Sequence, residues 1–429
     1  MKRFFVMLLF SLIFTSVFSE VNFDFSLSPG IVLKNYEIDK MPEDVIEWET
    51  FDYLPPFFEI TYTASSGNND LFYLSIPILP DASVYYLENN GLHNLPIRED
   101  FTPFVDSDIP YEVFYEISSE PFDFSIGRRK LKWGEGSYSL GINDRVPYMD
   151  HLLFSLNWDT SMGDFGYEYL LTAPGPKVSK REKTFVARKL SFEFSPAMFE
   201  IGEITLLYDI TPNFVDLNPF LVYHNVYESN SNVAGYLSST IDFKNYKLYS
   251  EFLLDQYQLP SESQSSAPNA YGFMVGGRKK GQKIDYGAEF YKTSTWLYNK
   301  GKDNEDNKDF TYPVWKNLLR ADDKTINYFL GFPYGPDVEL CKIFFESEHF
   351  GIDYEHLVQG SVNIDTPYTI EEWQEYSVHG PVPPTTVENI FRINFKIGNN
   401  PTFFAQTIFR NKELWMLVGF EYTFSSKIP

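Results

Sequence analysis

The sequence predicts an all-β fold, a transmembrane antiparallel β-barrel of about eighteen strands within a range of about sixteen to twenty. Three observations predict it. From about Tyr111 to the C-terminus, segments of strand length alternate apolar and polar side chains. A stretch with the pattern of an export signal precedes them. The chain is 18% aromatic, with 41 Phe and 30 Tyr, yet its mean hydropathy is slightly negative. A membrane barrel reconciles those two properties, because its aromatics girdle the bilayer interfaces while its lumen stays polar. A secreted β-sandwich or propeller is the other fold such a composition serves.

The N-terminus, MKRFFVMLLFSLIFTSVFS, carries Lys2 and Arg3, then an apolar run, with Val17 and Ser19 at cleavage positions. It reads as a secretory signal peptide (1–19) removed before Glu20. No later run is long and apolar enough for a membrane-spanning helix. Loss of Lys2 and Arg3 leaves 33 basic against 59 acidic residues, a net charge of −26. Such an acidic exported surface excludes nucleic acid as a partner. Cys341 is the single cysteine and can close no internal disulfide. Stability must come from a large core or from closed sheet pairing.

The region 20–110 is less regular. Phe57–Ala64 and Asp70–Ile78 read as strands around the turn-rich link Ser65–Asn69, while Met41–Leu54 and Asp106–Pro110 show no clear period. This region forms either the first strands of the barrel or a small periplasmic cap, and 111–429 forms the barrel proper. There the alternation is plain. Lys283–Lys292 sets Ile284, Tyr286, Ala288 and Phe290 against Lys283, Asp285, Gly287 and Glu289. Val387–Ile397 sets Val387, Phe391, Ile393, Phe395 and Ile397 against Glu388, Arg392, Asn394 and Lys396, with Asn389 and Ile390 breaking the pattern. The last segment puts Leu414, Met416, Val418, Phe420, Tyr422 and Phe424 on one face.

Connection lengths also alternate, as they do in bacterial barrels with short periplasmic turns and long external loops. Thr160–Asp164, Ser195–Pro196, Lys244–Asn245, Arg278–Gln282, Ala321–Lys324, Glu348–His349 and Gly398–Asn400 are short and fall on one side. Ala173–Lys183, Ile210–Ser231, Pro260–Pro268, Thr293–Asp309 and Ser361–Pro384 fall on the other, together with the short turn Asn411–Lys412.

Three stretches depart from ordinary strand chemistry. Ile126–Met149 gathers Arg128, Arg129, Lys130 and Lys132 beside Trp133, then Gly134, Gly136 and Asn143. Cationic groups beside an indole suit an anionic sugar, the charge meeting a carboxylate and the ring meeting the sugar's C–H face. The same residues also suit a loop folded into the lumen, its bases balancing nearby acids. Ala187–Tyr208 reads as a hairpin pivoting on Ser195–Pro196. Asn218–Asp255 begins NPFLVYHN and ends LYSEFLLD, around the polar loop Glu228–Asn232.

In order and wording these stretches resemble the Wzi-like family of outer-membrane barrels, associated with assembly of capsular polysaccharide. Gly127, Arg128, Trp133, Gly134, Gly136, Asn143 and Pro147 match its Gly-Arg stretch running into Trp-Gly-x-Gly, Asn and Pro. Arg188, Leu190, Ser191 and Phe192 match its Arg-Leu-Ser-Phe hairpin. Asn218, Pro219, His224, Asn225 and Asp255 match an Asn-Pro pair, a His-Asn pair and a later Asp. The resemblance covers about a third of the chain, Phe122–Tyr257. It implies a monomeric eighteen-stranded barrel in the outer membrane that binds surface polysaccharide as a lectin and performs no chemistry. On that reading Arg128, Arg129, Lys132, Trp133, Gly134, Gly136 and Asn143 contact ligand, and Asn218, His224, Asn225 and Asp255 brace loops or contact ligand. The helical element that better-known members carry early in the chain has no counterpart in Val21–Pro110.

Catalysis is not expected. The six histidines are scattered with no pair at i, i+4, and no G-x-S-x-G elbow appears. A His–Ser pair brought together across strands remains open to the sequence. The acids Asp303, Glu305, Asp306 and Asp309 lack EF-hand spacing and read as a solvated loop, so neither metal nor cofactor is expected. The runner-up function is a porin passing cations through an acidic lumen. A structural envelope protein is the third class.

Overall fold

Side chains of a strand point to alternate sides, so each period-two segment presents one apolar and one mixed face. A sheet with such faces has only one way to hide its edges in a membrane, which is to close on itself. The computed structural model of the chain does this. It describes residues 20–34, 55–67, 69–78, 92–93, 112–146, 148–173, 183–208, 215, 218, 231–256, 269–299, 302–303, 308–309, 313–317, 325–363 and 380–428. No α-helix occurs among the described residues.

The strands in chain order are β1 (Glu20–Leu27), β2 (Gly30–Lys34), β3 (Phe58–Ser65), β4 (Asp70–Ile78), β5 (Leu92–His93), β6 (Glu112–Ser119), β7 (Phe122–Arg129) and β8 (Met149–Thr160). Next come β9 (Gly163–Ala173), β10 (Lys183–Phe194), β11 (Ala197–Tyr208), β12 (Ser231–Phe243), β13 (Tyr246–Gln256), β14 (Ala270–Lys279) and β15 (Asp285–Thr293). Then follow β16 (Lys302–Asp303), β17 (Lys308–Asp309), β18 (Pro313–Asn317), β19 (Thr325–Phe329), β20 (Val338–Glu346), β21 (Phe350–Gln359), β22 (Thr386–Ile397), β23 (Thr402–Arg410) and β24 (Glu413–Ile428).

Twenty of these share one sheet. β1 and β2 both pair with β24 and form a single stave, interrupted at Ser28–Pro29 where proline has no N–H to give the ladder. The two-residue β5 lies beside β2. Removing those two segments from twenty leaves eighteen staves, all antiparallel. The ring closes where β1 pairs with β24 on one side and β3 on the other, Val21 lying opposite both Ile428 and Ala64. The barrel therefore begins at Glu20 rather than near Tyr111. β1 to β4 are staves because Asp24, Glu59 and Tyr73 alternate with apolar neighbours as the later strands do, over shorter runs.

The short links at 66–69, 120–121, 161–162, 195–196, 244–245, 280–284, 347–349 and 398–401 all lie at the end of the barrel where β1 begins and β24 finishes. The long links lie at the opposite end, here the loop end, with the short turn Asn411–Lys412. Ala321–Lys324, expected as a turn between staves, lies outside the described residues. Its flanking strands β18 and β19 pair with each other inside the long β15–β20 connection, Pro313 opposite Phe329. A short amphipathic hairpin carries the same period as a stave, and period was the only signal available there.

Faces follow the predicted alternation. Val387, Phe395 and Ile397 are exposed on the outer wall, while Ile390 and Arg392 are buried inside. Ile284 and Tyr286 face out, and Glu289 and Tyr291 face in. The main hydrophobic core lies in the lumen. It runs from Trp133, Tyr138, Leu140 and Ile142 through Phe185, Tyr236 and Tyr291 to Leu330, Phe332 and Leu357.

Candidate functional site: a lumen filled by two loops

Two segments turn inward from the loop end. One is 130–148, between β7 and β8. The other is the β15–β20 connection, whose ends 294–299 and 328–337 are buried almost throughout. They are hydrogen-bonded to each other: Asn143 N donates to Leu330 O at 2.7 Å and Tyr298 OH donates to Leu140 O at 2.7 Å. Within the second segment, Phe332 N donates to the same Tyr298 OH at 3.0 Å and ties its two ends together. The rings of Tyr138, Tyr291, Phe332 and Tyr334 pack edge-on and stacked, with centroids 5.1–5.9 Å apart.

Irregular chain inside a barrel must find partners for its N–H and C=O groups. Lumen-facing carboxylates supply them. Glu251 of β13 accepts from Leu140 N at 2.8 Å and Ser139 Oγ at 3.0 Å. Glu289 of β15 accepts from Ser137 N at 2.9 Å, Tyr249 OH at 2.6 Å and Tyr291 OH at 2.8 Å. Glu355 of β21 accepts from Tyr138 OH at 2.6 Å and Tyr334 OH at 2.7 Å. Glu355 is fully buried, and its charge is met by Lys342 Nζ at 3.1 Å and Arg392 NH1 at 3.0 Å. Arg392 also reaches Asp353 at 2.9 Å. Burial, and after it the Glu355 carboxylate, hold the Tyr138 phenol well above its ordinary range, so it stays a proton donor.

Asp337, just before β20, ties the loops at the rim. Its carboxylate accepts from Thr295 Oγ1 at 3.1 Å, Val362 N at 3.3 Å and Val382 N at 3.1 Å. Burial lifts its pKa, against those hydrogen bonds. Asp337 thus joins the β15–β20 and β21–β22 connections.

The predicted site residues are divided by this architecture. Arg128 and Arg129 are neighbours on a strand and so point to opposite sides. Arg128 is on the outer wall, paired with Asp150 at 2.5 Å and lying over the Tyr148 ring at 4.4 Å. Arg129 faces the lumen, paired with Glu116 at 2.7 Å and lying over Phe114 at 4.8 Å. The expected single cationic cluster is therefore not formed, because strand alternation separates adjacent residues. Lys132 is exposed on the inserted loop, its Nζ 3.4 Å from Ser137 O.

Trp133 is only 3% exposed. Its Nε1 donates to Glu168 at 2.7 Å, and its ring lies between Tyr236 and the Lys189 ammonium. It offers no open face for a sugar ring and serves as the anchor of the inserted loop. Gly134 has φ +73°, and a Cβ there would lie 1.9 Å from Glu251 Oε1, so only glycine lets the loop approach that carboxylate. A Cβ on Gly136 would lie 2.6 Å from Met274 Cε and 2.9 Å from the Tyr291 hydroxyl. Asn143 is fully buried and holds Leu330 through its backbone.

Asn218 lies against the outside of the barrel, where its carbonyl accepts from Arg188 NH1 at 2.9 Å; Arg188 also pairs with Glu203 at 2.5 Å. Asn218 thus holds chain against the outer wall and not inside the lumen. Arg188 lies one residue from the inward-facing Ala187 and Lys189, and so points out. Asp255 faces in and accepts from Tyr298 N at 2.9 Å. His224, Asn225 and Pro147 lie outside the described residues.

Sequence reasoning missed Glu251 and Glu355 as docking groups. The signal available was an acid at an inward position between inward apolar neighbours, as Glu251 stands between Tyr249 and Leu253. A His–Ser contact does form: Ser125 Oγ lies 2.9 Å from His151 Nε2, both buried on the lumen face of β7 and β8. No carboxylate accepts from His151 Nδ1, so the pair lacks the orienting third member of a triad. No group of three metal-ligating side chains occurs among the described residues.

Fold and lumen together define a class: a closed eighteen-stranded barrel of the outer-membrane type whose interior is occupied by its own loops. No protein-family model matches the sequence, and no curated protein matches it. Among solved structures the chain is similar to Wzi of Escherichia coli, described as an outer membrane protein involved in group 1 capsule assembly and a carbohydrate-binding β-barrel. The TM-score is 0.52 at 10% identity, covering 96% of this chain and 86% of that one. It is also similar to OccD3 of Pseudomonas aeruginosa, with TM-score 0.46 at 7% identity over 95% and 92% of the two chains. At such identities the likeness is one of fold.

Proposed function

We propose that this chain is exported by its N-terminal signal, closes as a barrel in the outer membrane, and binds surface or capsular polysaccharide without chemistry, as a monomer. The observation that carries the reading is the filled lumen. A diffusion pore needs a continuous aqueous path, whereas here two loops meet in mid-barrel and are held by buried carboxylates of three separate strands. A barrel so filled serves as a rigid platform for what its loops present. The resemblance of Gly127–Asn143 to a polysaccharide-binding family supports the sugar as the ligand. Of the cationic residues first singled out, Arg129 and Lys132 keep their side chains on the lumen side and are assigned to the anionic groups of the glycan. The three-point hold on the loop makes Trp133, Gly134 and Gly136 supports for that recognition.

The test is retention on purified surface glycan. Arg129→Ala and Lys132→Ala are each expected to weaken it by about ten- to a hundredfold, the weight of one charge-assisted hydrogen bond, with heat-modifiable gel mobility unchanged. Absence of glycan binding by the parent protein would remove this reading.

One observation favours a cation-preferring porin instead. Asp24, Glu59 and Glu112 share the inward face of β1, β3 and β6 with Tyr73 and Ser75 of β4. This acidic wall lies across the barrel from the Glu251–Glu355 docking wall.

A further inference from the structure

The outer wall carries a groove of about 620 Å³ near the turn end of β8 to β14. Its floor is Ser239 and Ser250, whose hydroxyls satisfy each other at 2.8 Å. Its walls are aromatic, Phe199 and Trp158 on one side and Phe252 and Phe273 on the other. From Val275 at its rim, the outward positions toward the turn end are Gly277 and, beside it on β15, Ala288, then Lys279. The Lys279 ammonium lies over the rings of two outward-facing tyrosines, 5.3 Å from the centroid of Tyr246 and 5.6 Å from that of Tyr286.

The groove and the lysine are independent features, separated by the small residues Gly277 and Ala288, with Leu248 of β13 lying beside Gly277. Ser250 lies four residues above Tyr246, about 13 Å along the strand. That is the offset between a lipid headgroup and the middle of its chain. Tyrosines mark the level of the headgroups, and a lysine there attracts anionic lipid. We infer that this face is a binding site for an anionic glycerophospholipid of the leaflet at the turn end. Its phosphate rests on Lys279 between Tyr246 and Tyr286, and one acyl chain runs over Gly277 into the Ser239–Ser250 groove. The inference rests on the membrane reading above.

The experiment titrates detergent-solubilised protein with dioleoylphosphatidylglycerol or dioleoylphosphatidylcholine and counts retained lipid by native mass spectrometry. The glycerol lipid is expected to be retained preferentially. Lys279→Gln lowers that preference about fivefold, the weight of one lysine facing an anionic surface. Ser250→Phe fills the groove and lowers retention of both lipids. In proteoliposomes, chain-brominated phosphatidylglycerol quenches Trp158, read as the difference from Trp158→Phe. Equal retention of the two lipids by a protein that inserts into liposomes overturns the site and leaves the membrane reading standing. Failure of the heat-modifiable barrel to insert into liposomes overturns both.

Discussion

Glu355 is the residue on which most of the inserted structure converges. Two phenols donate to it from the two loops, and two cations face it from β20 and β22. Removing it takes away the carboxylate that Lys342 and Arg392 share most closely and leaves the two cations side by side near Asp353. Glu355→Ala is therefore expected to lower unfolding free energy by about 3–5 kcal/mol, read from urea unfolding in detergent. Tyr138→Phe removes one hydrogen bond to the same carboxylate, at about 1.5–3 kcal/mol, and leaves the ring packing in place. Asp337 gives the opposite electrostatic case. Its folded-state pKa is raised by burial. A carboxylate of that kind favours its protonated form on folding, so its contribution is present at low pH and is lost as pH rises through the folded value. Asp337→Asn carries no such titration. Lowering pH from 7 to 4 is expected to raise the Tm of the parent relative to the variant, and a constant difference across that range would contradict the assignment.

For single strands, the outer face of β22 sets a depth scale. Asn389 accepts from Tyr354 OH at 2.7 Å on the outer wall and marks a polar upper edge, and the turn at Gly398 marks the lower one. Ile393 lies midway. Arginine there is expected to cost about 2–4 kcal/mol in folding into bilayers, and at Val387, above Asn389, about 0–1 kcal/mol, with Phe395→Arg between them. Equal costs at Ile393 and Val387 would mean that the band is misplaced. Alternation had already given the apolar outward residues of β22, whereas Asn389, which marks the upper edge, read as a break in the pattern. The staves of the region after Tyr111 were legible for the same reason. β18 and β19 were not, since a small hairpin in a loop repeats the period of the wall. The site was less legible. Adjacent arginines read as one patch in a sequence and stand on opposite faces in a strand. Trp133 carries no mark that distinguishes a sugar platform from a buried anchor. The carboxylates that hold the 130–148 loop pair with it across 111–217 residues of chain, a separation no local pattern reports.

For the whole molecule, the filled lumen is what the two proposed kinds of barrel would use differently. An eighteen-stranded ring of its own accord encloses room for water. Here the ring is spanned by chain whose polar groups are met by Glu251, Glu289 and Glu355 and whose apolar groups form the largest core. The core and the wall therefore depend on each other: the loops fill the ring, and the ring supplies the acceptors that let irregular backbone be buried. Single-channel recording in a planar bilayer reads this directly. The parent is expected to pass little steady current. Replacing 131–146 by a short Gly-Ser linker removes Trp133, Tyr138 and Asn143 together and leaves the docking carboxylates facing water. That variant is expected to conduct steadily and to prefer cations, since Glu251 and Glu289 would then line the opening beside the acidic wall of Asp24, Glu59 and Glu112. It is also expected to lose retention on surface glycan, because the loop carries Lys132. A parent that conducts as freely as the variant would show that water passes beside the loops along that acidic wall, and the porin reading would replace the lectin.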